Sequence, residues 1–422
     1  MASLTTQKTG LKTFIVRAFV LAVLFVLVIS LTVHKLSTSF NTDNNRDVAE
    51  KNEAIEQFNM GLAYEQGQGV AKDDKQAVSW YQKSAKQGFA PAQHNLGVMY
   101  HVGSGVAKDD EQAVSWWRKA AAQGDKGSQH NLGQAYFWGW GVTKDNEQAF
   151  SWFRKSAEQG DANDQYTIGV MYQNGQGVTQ DYAQALSWYH KAADQGNADA
   201  QNNLGNAYYN GNGVAQDNAQ ALSWFRKAAE QGNAHAQTTL GTMYLNGQGV
   251  TQDSAQALSW FRKAAEQGFA NAQNNMGVIY QNGLGVAKDD TQAFSWFRKA
   301  AEQGNAPAQF VLGTMYVRGT GVAQDYAQAL LWFRKAAAQG YANAQNNLGW
   351  MYAHGWGVAK DDVQAVSWYR KAADQGDAIA QNNLGEMYRK GLGVANDEAQ
   401  ALVWFRKAAA QGNADAQKAL AE

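Results

Sequence analysis

The side chains able to do chemistry in this 422-residue chain come in columns rather than clusters. An arginine-lysine pair recurs as Arg118/Lys119, Arg154/Lys155, Arg226/Lys227, Arg262/Lys263, Arg298/Lys299, Arg334/Lys335 and Arg406/Lys407. Two chemistries fit it. One is a basic ladder for an acidic polymer. The other is a set of cations near helix C-termini, where the dipole favours them and Glu230-type neighbours pair with them. A glutamine recurs at Gln57, Gln93, Gln129 and onward through Gln201 to Gln417. So many identical copies do not make a catalytic site. An amide bonded to backbone at a repeat junction is the expected role, because buried polar groups need partners.

Other groups exclude more than they suggest. His94 and His130 share a column and the remaining histidines are scattered, whereas a metal centre needs clustered ligands at fixed spacing. No metal or cofactor is expected. No Ser-His-Asp set or carboxylate pair stands out from the repeat, so the chain reads as no enzyme. The Gly-x-Gly loops have no preceding strand and no following Lys-Ser/Thr, so they read as turns rather than phosphate cradles. The chain has no cysteine, which removes disulfides and thiolate metal sites. A formal net charge of −1 gives no reason to expect nucleic acid as a partner.

The elements that hold these columns follow from one periodicity. A tryptophan returns at Trp80, Trp116, Trp152, Trp188, Trp224, Trp260, Trp296, Trp332, Trp368 and Trp404, always 36 residues apart. In the unit 197–232, Ala200, Leu204 and Tyr208 form one apolar stripe and predict helix A, from about Ala198 to Tyr209. Gly205 lies on that stripe. A helical glycine costs about 1 kcal/mol against alanine, so close approach of the partner helix must compensate. Gly211 caps helix A in the left-handed conformation and Gly213 allows the reversal. Asp217 begins helix B, and Gln220 completes an Asp-x-x-Gln capping box with it, as in Asp73/Gln76 and Asp397/Gln400. Ala221, Trp224, Phe225, Ala228 and Ala229 make the apolar face of helix B, with Trp224 as its largest group to bury. Two short helices cannot bury enough surface alone, so each unit must lean on its neighbours.

These residues resemble a known family. Ala200-Gln201-x-x-Leu204-Gly205-x-x-Tyr208, then Gly211-x-Gly213-Val214, Asp217-x-x-Gln220-Ala221 and Trp224-Phe225-x-Lys227-Ala228-Ala229 are similar to the Sel-one-like repeat (SLR) family, related to tetratricopeptide repeats. The resemblance covers about residues 53–422. It implies an all-α fold: an α/α superhelix, or solenoid, of ten 36-residue helix-turn-helix repeats plus a partial C-terminal repeat at 413–422. It also implies a concave groove that serves as a scaffold or adaptor, often in exported bacterial proteins with envelope roles.

Residues 1–40 stand outside the repeat. Lys8, Lys12 and Arg17 precede an apolar run from Ala18 to Val33, the layout of an export signal. Counted from Phe14, the stretch 14–33 is long enough for an uncleaved membrane anchor, with a cleaved signal peptide as the alternative. Residues 41–52 read as a polar linker. The positive-inside tendency then places the repeats in the cell envelope on the non-cytoplasmic, periplasmic side, or outside the cell if the signal is cleaved.

Constant columns carry structure, so recognition is expected in the variable ones. Trp138, Trp140, Trp350 and Trp356 lie outside the two aromatic columns of helix B, and Phe137, Tyr209, His101, His354 and Arg318 vary around the end of helix A. Exposed aromatics are favoured interface anchors. Asn202, Asn203 and Asn206 project from helix A away from its stripe and suit an extended peptide backbone. The candidate partner surface is therefore Phe137, Trp138, Trp140, Asn202, Asn206, Tyr209, Trp350 and Trp356. The expected function is a non-catalytic scaffold of the cell envelope that binds a partner protein or peptide on the helix A surface. The alternatives are a glycan- or polymer-binding surface protein using the basic ladder, and a cell-wall or lactam hydrolase.

Overall fold

The glycine in helix A and the second aromatic of helix B are two halves of one contact. A Cβ built on Gly205 would stand 2.6 Å from the Phe225 ring, and the same overlap recurs for Gly133 with Phe153, Gly277 with Phe297 and Gly313 with Phe333. The glycine is therefore a notch that admits a ring. In the rungs near the N-terminus the ring is Tyr81 against Gly61 and Trp117 against Gly97. These rings are more deeply buried than the periodic tryptophan, which is buried in some rungs, as at Trp188, Trp332 and Trp404, and half-buried in others. Phe225, Phe261 and Phe297 are fully buried, whereas Trp224 is only half-buried. Trp224 thus lies at the edge of the apolar face of helix B, and Phe225 at its centre. The notch faces the second aromatic, and the first lies one residue, about 100° of helix, further round.

The computed structural model describes residues 49–421. Helices joined by turns make up the described residues, with no strand among them, and from residue 90 to 410 each repeat is a pair of 13-residue helices such as Ala198–Asn210 and Asn218–Glu230. Residues 49–66 are helical, which carries helix into the stretch read as linker. The partial repeat is present as the short helix Ala414–Ala419. The apolar run 14–33 lies outside the described residues. Among the described residues no helix is long and apolar enough to cross a membrane. The chain divides between Gln180 and Asp181 into two units, and each is a solenoid of stacked helix-turn-helix rungs.

Local bonds explain where each helix stops. Gly211 has φ +74°, and its N–H donates to Ala207 O, the left-handed cap expected of it. Asp217 caps helix B through Oδ1, which accepts from Ala219 N at 2.9 Å and Gln220 N at 3.0 Å. The reciprocal half of the capping box does not form. The Asp217 N–H donates to Tyr208 O at 2.8 Å, and Gln220 is exposed. The tight loop supplies an orphan carbonyl from the end of helix A, which takes the donor the glutamine would have satisfied.

Stacking is fixed by two further columns. Gln201 donates to Ala193 O at 3.2 Å and accepts from Gln231 Nε2 at 2.7 Å. The pattern repeats at Gln237, Gln273, Gln309, Gln345 and Gln381, so the buried amides form a ladder across the rungs of the second unit. The second loop glycine makes the other contact. A Cβ on Gly321 would lie 2.1 Å from the Asp290 carbonyl oxygen, at the start of helix B in the preceding rung. Gly69, in the same column of the first rung, has nothing within 4 Å.

That difference separates backbone strain from rung contact. Both glycines have positive φ, +69° at Gly321 and +74° at Gly69, so alanine strains each alike. Gly321→Ala is expected to lower the urea midpoint clearly more than Gly69→Ala. Equal shifts would mean that the close approach is not what selects glycine.

Candidate functional site

Most of the periodic charge is answered inside its own rung or the next. Each lysine of the basic column lies over the tryptophan three residues before it, with Nζ 3.8–4.2 Å from the ring centroid. Such cation–π stacks contribute about 0.5–1 kcal/mol each at exposed sites. Arg118, Arg226 and Arg334 donate to the hydroxyls of Tyr136, Tyr244 and Tyr352 at 2.7–2.9 Å, in the A helix of the following repeat. Arg154 and Arg298 pair with Glu158 and Glu302, as expected from the helix spacing. Most of the ladder thus has partners within the scaffold, although its side chains stay exposed.

The first unit holds part of the proposed aromatic surface. Trp138 is 61 % exposed and meets Phe137 edge-on at 4.9 Å, with Lys144 over the Phe137 ring. Trp140 is half-buried and packs 4.6 Å from His101, which in turn bonds Asp110 at 2.6 Å. Trp138 is therefore the projecting group, and Trp140 fills space between rungs.

The remaining candidates lie in the second unit. Tyr209 donates to Gln248 Oε1 in the loop of the next repeat at 3.0 Å, so its hydroxyl ties two rungs together. Asn202 donates to Asn203 at 3.4 Å, while its own Oδ1 is buried without a hydrogen bond. Asn206 is half-buried on the same face. Trp350 and Trp356 meet at 4.1 Å and nearly at right angles, with His354 stacked on Trp350 and Tyr326 beside Trp356.

Three cavities run along the A-helix face around this cluster. One of about 410 Å³ includes Phe310, Thr314 and Arg318. The next, about 180 Å³, shares Thr314 and Arg318 and adds Asn347 and Trp350. A third, about 380 Å³, shares Trp350 and adds His354, Asn383, Glu386 and Lys390. All their helix A linings come from columns that vary between repeats; even the column of Met315, Met351 and Met387 holds Ala207 and Ile279 in other repeats. Sequence reasoning named Arg318 and Trp350 but missed Asn347 and Glu386. The departures of Phe310, Val311 and Glu386 from their columns were the available signal.

A buried acid was also missed. Asp164 stands in a column that is otherwise alanine apart from Glu56 and Ser128, and it is fully buried. It has neither a capping nor a surface role. His130, one rung earlier, reaches it at 2.7 Å. His94 does the same for Ser128 at 3.0 Å, and the same nitrogen lies 3.2 Å from Asp125. A hydrolytic triad would use opposite ring nitrogens and an accessible hydroxyl, whereas Ser128 is fully buried. These are junction pairs. Burial works to raise the Asp125 carboxyl, but bonds from His94 and Ser128 outweigh it and hold the group at about 2.

The fold and its columns define a helical-repeat solenoid whose constant residues make rungs and whose variable residues line one face. The chain belongs to the Sel1 repeat family: the Sel1 repeat matches ten segments, 57–89, 90–125, 127–161, 162–197, 198–233, 234–269, 270–305, 306–341, 342–377 and 378–413. It is 40 % identical to a protective antigen present in uropathogenic Escherichia coli strains, over 89 % of this chain and 88 % of that one, with a TM-score of 0.62. A Sel1 repeat protein from Oxalobacter formigenes is 36 % identical over 74 % of this chain and 90 % of its own, also with a TM-score of 0.62. Among curated proteins, none matches the chain. Sel1 repeat proteins generally act as non-catalytic scaffolds that bind proteins.

The His130–Asp164 bond makes the first unit sensitive to pH. The hydrogen bond to Asp164 raises the His130 pKa above its ordinary value, against burial, with Asp164 and Asp161 adding their charge. Its stabilisation is then complete below about 6.5 and fades as pH climbs through the higher folded value. His130→Asn alone strands a buried carboxylate and is expected to cost up to about 3 kcal/mol. Adding Asp164→Ala, which restores the repeat's own alanine, should recover most of that and flatten the alkaline decline. Melting curves from pH 5 to about 9 read this out. A double variant with unchanged pH dependence would contradict the assignment.

Proposed function

We propose that this protein is a non-catalytic interaction scaffold of the cell envelope that holds a partner polypeptide on its A-helix face. The observation that carries the reading is the run of cavities in the second unit, which open where the repeat departs from its own consensus. Trp350 joins two of them and is braced by Trp356 and His354, so it offers a rigid ring at little entropic cost. Trp138 and Phe137 form a separate contact point in the first unit. The envelope placement rests on the basic and apolar pattern of residues 1–40 and on the export signal it resembles. The basic ladder gives little support to polymer binding, since its lysines and many of its arginines already have partners within the rungs.

Affinity capture from native membranes tests the reading. The double variants Trp350→Ala/Trp356→Ala and Trp138→Ala/Trp140→Ala, checked by melting, are expected to lose the captured partner by about tenfold or more. Retention of the partner by both folded variants would remove this surface from consideration. Mass measurement of the mature N-terminus in the same sample decides between anchor and cleaved signal.

A further inference from the structure

The middle cavity of the second unit has a chemistry of its own. It lies between helices Ala306–Arg318 and Ala342–His354, and its volume of about 180 Å³ suits a single large side chain. The floor is apolar: Phe333 and Met351 are buried, and Val317 and Trp350 form the sides. Trp350 cannot easily turn away, because Trp356 abuts it and the His354 ring stacks on it while bonding Trp350 O at 2.9 Å.

The polar groups around this floor are unbalanced. Thr314 spends its proton on Phe310 O at 3.1 Å. An asparagine chain runs from Asn383 Nδ2 to Asn346 Oδ1 at 3.0 Å, and from Asn346 Nδ2 to Asn347 Oδ1 at 3.5 Å. It ends at Asn347, whose Nδ2 has no partner among the described residues. The cations nearby differ from Arg318. Lys288 pairs with Asp290, Lys360 with Asp362, and Lys390 with Glu386. Arg318 makes no ion pair or hydrogen bond among the described residues. Two donors, one of them charged, thus face a cavity whose side-chain acceptors are the neutral Thr314 hydroxyl and Asn347 Oδ1, the latter already taking the Asn346 amide. An occupant has to bring negative charge and acceptor oxygens along with an apolar group.

We infer that this cavity is a specificity pocket for a linear acidic peptide. An aliphatic or aromatic side chain enters between Phe333 and Trp350, and an aspartate or glutamate beside it in the peptide pairs with Arg318 and Asn347. The inference rests on the scaffold reading above and names the chemistry of its partner. A planar guanidinium accepts a carboxylate in two parallel bonds, which gives the pocket direction as well as attraction.

Selection of a random peptide library displayed on phage, against the full chain, tests this. The winning sequence is then made as a blocked peptide, acetylated and amidated, so that only side chains carry charge. Winners are expected to place aspartate or glutamate next to leucine, isoleucine or phenylalanine. Changing that acid to its amide, or Arg318→Gln in the protein, should each weaken binding about tenfold. Applied together, the two changes should weaken it little further, because they remove the same bond. Arg318 is exposed, so its variant should melt with the wild type, and Arg406→Gln on helix B serves as a control without effect. Winners that lack acids, an empty selection, or binding indifferent to Arg318→Gln would overturn the inference. If Arg318→Gln is without effect while Trp350→Ala/Trp356→Ala still loses the native partner, the scaffold reading stands and the acidic chemistry falls.

Discussion

A ring seated in a glycine notch is the interaction on which each rung depends. The notch exists because Gly205 and its equivalents have no Cβ, and the ring of Phe225 or its equivalent fills the space. Fully burying such a ring contributes about 1.5–3 kcal/mol, more than the roughly 1 kcal/mol a helical glycine costs. The sum is still small for a pair of 13-residue helices, which are marginal alone. The rung therefore needs its neighbours. The glutamine ladder and the second loop glycine supply the neighbouring contacts, one by hydrogen bonds and one by close backbone approach.

This arrangement divides labour among columns. A residue that serves the notch is held to an aromatic ring or a glycine by its own rung, and one that serves the ladder or the loop is held by two rungs. The face of helix A that looks away from helix B is free of those duties, and variation collects there. The charge pattern obeys the same logic. Lysines stack on tryptophans and arginines reach tyrosines, so the periodic cations are absorbed by the scaffold. Arg318 is an exception on the variable face, and Asp164 is an exception inside the core.

Much of the fold was legible from the sequence because a 36-residue period leaves few alternatives. The helix limits, the caps at Asp217 and Gly211, and the role of the glutamine column could all be argued from local chemistry. What was not legible depends on direction in space. Whether Trp224 or Phe225 enters the notch turns on one step of helical rotation. Whether Gln220 closes a capping box turns on a carbonyl delivered by the loop. The surface was half legible for a similar reason. Trp138 and Trp350 were visible as departures from the repeat, but the free donor of Asn347 emerges only when the asparagines of adjacent rungs are brought together.

The central claim is that stability passes between adjacent rungs and not through one shared core. Amide hydrogen exchange on the full chain carrying Gly277→Leu measures this directly, since the added side chain must collide with the Phe297 ring. The account predicts that protection is lost in that rung and in those touching it, and is kept elsewhere in the second unit. Uniform loss across the second unit, or no loss at all, would contradict it.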